Sequence, residues 1–171
     1  MISPNYVRTL ARYNSWQNAN VYGASEELSD AQRKEDRGGF FGSIHATLNH
    51  ILWADQTWLH RFSACPPPAK ATIPDGLSLF EHWDALKEER IRFDGIIQKW
   101  ADGLEPSALE GDLTWISGAT GREITRPKAL LFTHLFNHQT HHRGQVHALL
   151  TGFGIKPGIT DMPFGENIYA G

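Results

Sequence analysis

The sequence predicts an all-α fold, a four-helix bundle with one long crossover loop and a small β-hairpin ahead of the last helix. Three observations carry this. Four segments are long enough for helices and place apolar residues at helical spacing. Between the second and third of them lies CPPPAKATIPDG, which cannot continue a helix and lacks the alternation of a strand, so the long connection falls there. Before the fourth, LTWISGATGREIT sets two short β-prone runs on either side of residues 117–121, the pattern of a hairpin.

Each helix has a start or a stop in the sequence. The first is expected from Pro4 to about Glu27, with Ser3 as its capping residue and Pro4 in its first turn. The second runs from about Ser43 to Phe62, after the Gly38-Gly39 break. The third opens at Ser78, with Glu81 three residues on as a capping box, and ends near Ala101 at the Asp102-Gly103 pair. The fourth starts near Pro127 and stops at Gly152. The remaining tail, rich in Gly and Pro, is expected to pack across the helices without forming one. The whole chain, residues 1–171, reads as a single domain.

Composition narrows the function. With 171 residues, 40% hydrophobic and 20% charged, the chain can bury one sizeable core. A net charge of -3, with Lys and Arg scattered, argues against nucleic-acid binding. The single cysteine, Cys65, excludes an intramolecular disulfide and fits a reducing compartment. No apolar run of about 18 residues and no apolar leader at the N-terminus are present, so a soluble cytoplasmic protein without membrane contact is expected.

The chemistry concentrates in THLFNHQTHHRGQVH. His134, His138 and His142 stand at i, i+4 and i+8, so neighbours in the series lie one turn apart on one helix face and can close on one metal ion. Leu131, Leu135, His138, His142, Gln145 and Leu149 follow at steps of 4, 3, 4, 3 and 4, which reads as a core-facing seam. His138 and His142 are therefore expected to point inward, where an imidazole needs partners or a ligand. His134 packs or hydrogen-bonds on this reading, or replaces one of the pair. His141 sits at the edge and His147 on the solvated side. A catalytic ion usually takes three protein ligands and an open position, so a third must come from elsewhere. The second helix offers His45, His50 and His60, with His50 favoured by the small residues Ala46, Thr47, Ala54 and Thr57 on its stripe.

The segments LARYNSWQNANVY, FFGSIHATLNHILWADQTWLHRF and FNHQTHHRGQVHALL resemble the DinB/YfiT-like family. That family is named for damage-inducible expression and is unrelated to the DNA polymerase that shares the name. The resemblance covers nearly the whole chain. It implies a four-helix bundle of DinB/YfiT type that holds a divalent metal, zinc or nickel, and carried over to this chain it implies His50, His138 and His142 as ligands. It further implies a metalloenzyme related to thiol-dependent S-transferases and to the mycothiol-dependent maleylpyruvate isomerase. A low-molecular-weight thiol would then be the cosubstrate, small electrophiles the substrates, and stress or detoxification the role. The alternatives are a non-catalytic metal-binding or stress-response protein, and a metal-dependent hydrolase.

Three imidazoles leave a divalent ion its full charge and an open position, which suits a Lewis acid that activates a thiol or water. Gln139 stands where H-E-x-x-H proteases carry their Glu, so a protease is not expected. Because free imidazole titrates near 6.5, protons should compete for such a site between about pH 7 and 5. Gln145 is expected to orient a ligand or substrate, or to cap a carbonyl. Asp55, on the apolar stripe of Ile44, Leu48, Ile51 and Leu59, needs a partner, expected to be Arg143 or a histidine. Asn49 and Asn137 bond to backbone or lie on the surface, and Trp16, Trp53, Trp58, Trp83 and Trp100 read as core. Catalytic residues beyond the metal ligands cannot be assigned from these patterns. Family precedent and surface aromatics favour a homodimer packed through helices.

Overall fold

The computed structural model describes residues 2–118 and 120–169. Among these the chain is mostly helical. Its α-helices are α1 (Pro4–Ser25), α2 (Asp30–Lys34), α3 (Ile44–Phe62), α4 (Ile73–Gly76), α5 (Trp83–Asp102) and α6 (Lys128–Gly152), with a hairpin of β1 (Asp112–Ile116) and β2 (Glu123–Pro127) ahead of α6. α1 packs against α5 and α6, and α3 packs against α6 and α5. Among the described residues no helix is long and apolar enough to cross a membrane.

Local chemistry accounts for the starts. Ser3 and Ser43, both extended, accept the amide hydrogens of Tyr6 at 3.2 Å and Ala46 at 3.1 Å, which satisfies one free donor at each helix end. In the hairpin, β1 and β2 are antiparallel with Thr114 opposite Thr125, and their hydroxyls bond at 2.7 Å. Two short helices add to the expected four. α2 closes a capping box between Ser29 and Gln32, and α4 folds out of IPDG in the long connection, capped by Thr72.

The third long helix does not open at Ser78. It begins at Trp83, after His82, and the Ser78/Glu81 box is not made. The reason lies on α3: the Asn49 side chain accepts the Phe80 amide hydrogen at 2.8 Å and donates to the Phe80 carbonyl at 3.2 Å, while His45 Nε2 meets the same carbonyl at 2.9 Å. These bonds claim the backbone groups that a helix through Phe80 would use. The tail packs as expected, along α1. Tyr13 donates to the Thr160 carbonyl at 2.7 Å, and Gln17 and Asn20 donate to the Ile159 carbonyl at 3.0 and 3.2 Å.

The core joins Val7 and Val21 of α1, Leu48 and Leu52 of α3, Phe93 and Ile97 of α5, and Leu135 and Val146 of α6. A buried polar chain runs through it. Asp55 accepts from Arg90 at 2.6 Å and from Gln139 at 2.6 Å; Arg90 also pairs with Asp94 at 2.8 Å, and Asn18 donates to Asp94 at 2.9 Å. The partner of Asp55 is thus Arg90 from α5, not Arg143 or a histidine. Arg143, one turn beyond Gln139, is aimed at α1, where it donates to Asn14 and Asn18. Every member is buried, so each hydrogen bond replaces one that water can no longer supply.

Gly76 lies flat on Trp53: a Cβ there would sit 2.6 Å from the indole Cγ. Trp53 is buried and tied by its Nε1 hydrogen to the Lys70 carbonyl at 2.8 Å, so the ring cannot yield cheaply. Gly76→Ala should therefore lower stability by about 1–3 kcal/mol, the usual cost of overpacking. Chemical denaturation measures it, and an unchanged midpoint would mean that the 63–82 connection shifts freely.

Candidate metal centre

The buried face of α6 is rotated from the seam expected. Phe132, Leu135, Phe136, Gln139, Arg143, Val146 and Leu150 fill the core together with Leu131 and His142, while His138, Gln145 and Leu149 are half-buried. The core face therefore includes an amide and a guanidinium that an apolar count passes over. His142 and His138 lie along its border. This placement lets both imidazoles meet a residue of α3 while His138 still reaches a cavity.

That residue is His50. Its Nε2 lies 3.3 Å from His138 Nε2, and His142 Nε2 lies 3.1 Å from the same atom. One ligand nitrogen from each ring lies within 4.8 Å of the others. Nitrogens bound at about 2.0–2.1 Å around a tetrahedral ion stand roughly 3.3–3.4 Å apart, a spacing that His138 keeps with both His50 and His142 to within a few tenths of an ångström. His50 Nδ1 is buried and without a partner among the described residues. His142 Nδ1 meets the Gln145 amide oxygen at 2.8 Å, which makes Nδ1 the protonated nitrogen and turns the Nε2 lone pair to the cluster. Gln145 thus orients His142, and its own amide nitrogen contacts the exposed His141 at 3.2 Å.

The electrostatics favour neutral rings. Burial first, and the neighbouring imidazoles second, push His50 down to about 4 and His138 down to about 3; burial lowers His142 as well. Neutral imidazole is the form that binds a metal. In the metal-free protein the unfolded chain takes up protons near pH 6.5, before the folded rings do, so stability falls as pH drops from 6.5 toward 4 and 3. Metal-free protein should lose about a few kcal/mol over that interval, and metal-loaded protein about as much in its upper part, because down to about pH 5 neither folded form takes up a proton on His50 or His138. Urea midpoints at pH 7 and 5 measure this, and a metal-free midpoint that does not fall would contradict it.

The other histidines separate. His45 is buried but bonded to Phe80, and exposed His60 bonds by Nδ1 to the Cys65 carbonyl at 2.7 Å. His134 is exposed, its ring 5.1 Å from that of Trp58 and edge-on to it. His147 is half-buried beside the tail, next to Thr160, and stands apart from the cluster. Asn49 is wholly buried and Asn137 is exposed. Phe41 escapes the sequence reading: its ring packs 4.1 Å from His50 and 5.3 Å from His142. It is carried by a turn that needs Gly38 and Gly42 at φ 75° and 78°, so the paired Phe40-Phe41 between glycines was the available signal.

Beside the cluster opens a cavity of about 370 Å³, lined by His50 and His138 and walled by Trp53, Trp58 and Trp115. Of the tryptophans expected in the core, Trp53 and Trp83 are buried and Trp16, Trp58 and Trp100 half-buried, so two of the five serve as cavity walls. Among the residues that line it, none carries a carboxylate. The arrangement can hold one cation by three neutral nitrogens, with an aromatic chamber alongside.

Comparison with known proteins places the chain in a family. The chain is 25% identical over 165 residues to Protein DinB of Bacillus subtilis strain 168, an alignment that covers 89% of this chain and 88% of that protein. The family model described as DinB family matches residues 1–169, and the chain belongs to the DinB family.

Proposed function

We propose that the protein binds a divalent metal through His50, His138 and His142 and transfers a low-molecular-weight thiol to small electrophiles. On this reading its four long helices form a four-helix bundle of the DinB/YfiT type, and zinc or nickel is the ion, both being suited to imidazole donors. The observation that carries the reading is the meeting of three neutral Nε2 atoms beside an aromatic cavity.

When bound, the ion supplies a Lewis acid that lowers the pKa of a thiol. The protein's own residues do the rest. Gln145 holds His142 in the tautomer that presents Nε2, and Phe41 covers one side of the cluster against water. The absence of a carboxylate among the lining residues favours a nucleophile that needs no general base, hence thiol transfer over hydrolysis. A stress or detoxification role in the cytoplasm, as a homodimer, belongs to the same proposal, and sedimentation velocity reads the last of these.

The test is elemental analysis of the purified protein followed by transfer of a thiol to 1-chloro-2,4-dinitrobenzene, with and without metal. One equivalent of zinc or nickel and metal-dependent turnover are expected. Metal without transfer of any thiol would leave a non-catalytic metal protein, and no metal would remove the centre.

A further inference from the structure

One cation in this cavity has no counter-charge among the described residues. Arg61, at the C-terminal end of α3, lines the chamber that His50 and His138 border. Its guanidinium carbon lies 4.5 Å over the Trp58 ring and 5.7 Å from that of Trp115, and the two indoles stand edge to face at 5.4 Å. None of the ion pairs among the described residues includes Arg61. Half-buried, it has shed part of its hydration, and burial lowers its pKa with no carboxylate to oppose the change. Contact with the indole faces uses none of the guanidinium's donors, so these remain for a ligand.

The chamber has direction. His50, Ala54, Thr57 and Arg61 line it from one face of α3, and eleven residues of helix separate its first and last members by roughly 16 Å along the axis. One end is the imidazole cluster, the other is cationic, and the wall between is indole. Trp115 reaches the cavity from β1, which gives the hairpin a place in the site.

We propose that this cavity binds a small carboxylate-bearing molecule, its carboxylate on the Arg61 guanidinium and its apolar body along Trp58 and Trp53 toward His138. That this molecule is a substrate or cosubstrate of the metal centre rests on the function proposed above; the anion subsite itself does not. A carboxylate accepts two parallel hydrogen bonds from a guanidinium, whereas a neutral amide of the same shape offers one oxygen and no charge.

The experiment compares 3-phenylpropionate with 3-phenylpropionamide by calorimetry at pH 7.5, with metal content measured in parallel. Wild-type protein should bind the acid roughly tenfold or more tighter than the amide. Arg61→Gln should remove that preference by weakening the acid alone, Arg61→Lys should keep part of it, and both should retain wild-type metal content. Equal binding of acid and amide by wild type, undetectable binding of the acid in the millimolar range, or an acid preference that survives in Arg61→Gln would overturn the proposal. A preference that persists in Arg61→Gln and disappears in His138→Ala would place the carboxylate on the ion instead. Wild-type protein that takes up neither zinc nor nickel when these are added, yet prefers the acid through Arg61, would retain the subsite and discard the metal reading.

Discussion

Replacing Arg90 with Met should bring the protein close to unfolding. Arg90 is 2% exposed and holds Asp55 at 2.6 Å and Asp94 at 2.8 Å, themselves 0% and 6% exposed. Without the guanidinium, two buried carboxylates lose their shared counter-charge, and removal of one partner from a buried pair costs about 3–5 kcal/mol. Against a total stability of about 5–15 kcal/mol that is a large fraction. The loss should also depend on pH with a definite sign. Burial already raises Asp55, to about 6 against the pull of Arg90, and without Arg90 its carboxyl rises further. The folded variant then binds a proton that the unfolded chain has released, so its deficit relative to wild type narrows as pH falls and widens as pH rises. Urea denaturation at pH 5 and 8 measures both effects. Arg92→Met, which removes an exposed guanidinium from half-buried Glu89 while the bond from Gln56 to Glu89 remains, should cost no more than about 1 kcal/mol. If the Arg90 variant is no less stable than the Arg92 variant, the buried chain does not hold the helices together.

The ends and faces of the helices differ in how far the sequence discloses them. Ser3 with Pro4, and Ser43 after a glycine break, act locally, so the starts of α1 and α3 are legible from neighbours alone. Ser78 and Glu81 carry the same kind of local signal, and it loses to a tertiary one: Asn49 and His45, some thirty residues earlier, take the Phe80 backbone. A capping box stabilises by about 1 kcal/mol, and two buried side chains bonded to the backbone of one residue outweigh it. The face of α6 misleads for another reason. An apolar count cannot see that Gln139 and Arg143 point into the core, because their burial depends on Asp55, Asn14 and Asn18 on other helices.

The same rotation bears on the site. If His138 and His142 stood mid-seam, they would be sealed between helices; at the border they meet His50, and His138 also reaches the cavity. The four-residue spacing of His138 and His142 was legible, and the family resemblance singled out His50 where helical geometry only favoured it over His45. The glycines around Phe40-Phe41 mark a turn, but the roles of Phe41 and Arg61 were not legible, since each matters through what it faces: one packs on two imidazoles, the other lies on Trp58 and Trp115. The buried polar chain ties this border in place. Gln139, the residue after His138, is fastened through Asp55 to the helix that carries His50.

His138→Ala should abolish stoichiometric metal binding. Its Nε2 is 3.3 Å from that of His50 and 3.1 Å from that of His142, and its removal leaves two of the three ligands. A tightly held catalytic ion generally requires three protein ligands. His147→Ala should leave metal content unchanged, and so should His134→Ala, whose ring is exposed and edge-on to Trp58. The pH dependence discriminates further. Were the rings like free imidazole, protons would displace the ion between about pH 7 and 5. With His50 near 4 and His138 near 3 in the metal-free fold, competition moves down, and the ion should remain largely bound at pH 5 and leave as pH approaches 4 and 3. Elemental analysis after gel filtration at stepped pH reads this directly. Metal retained in His138→Ala at the wild-type level would refute the ligand set; release complete by pH 6 would instead mean that the cluster opens to water before the ion departs.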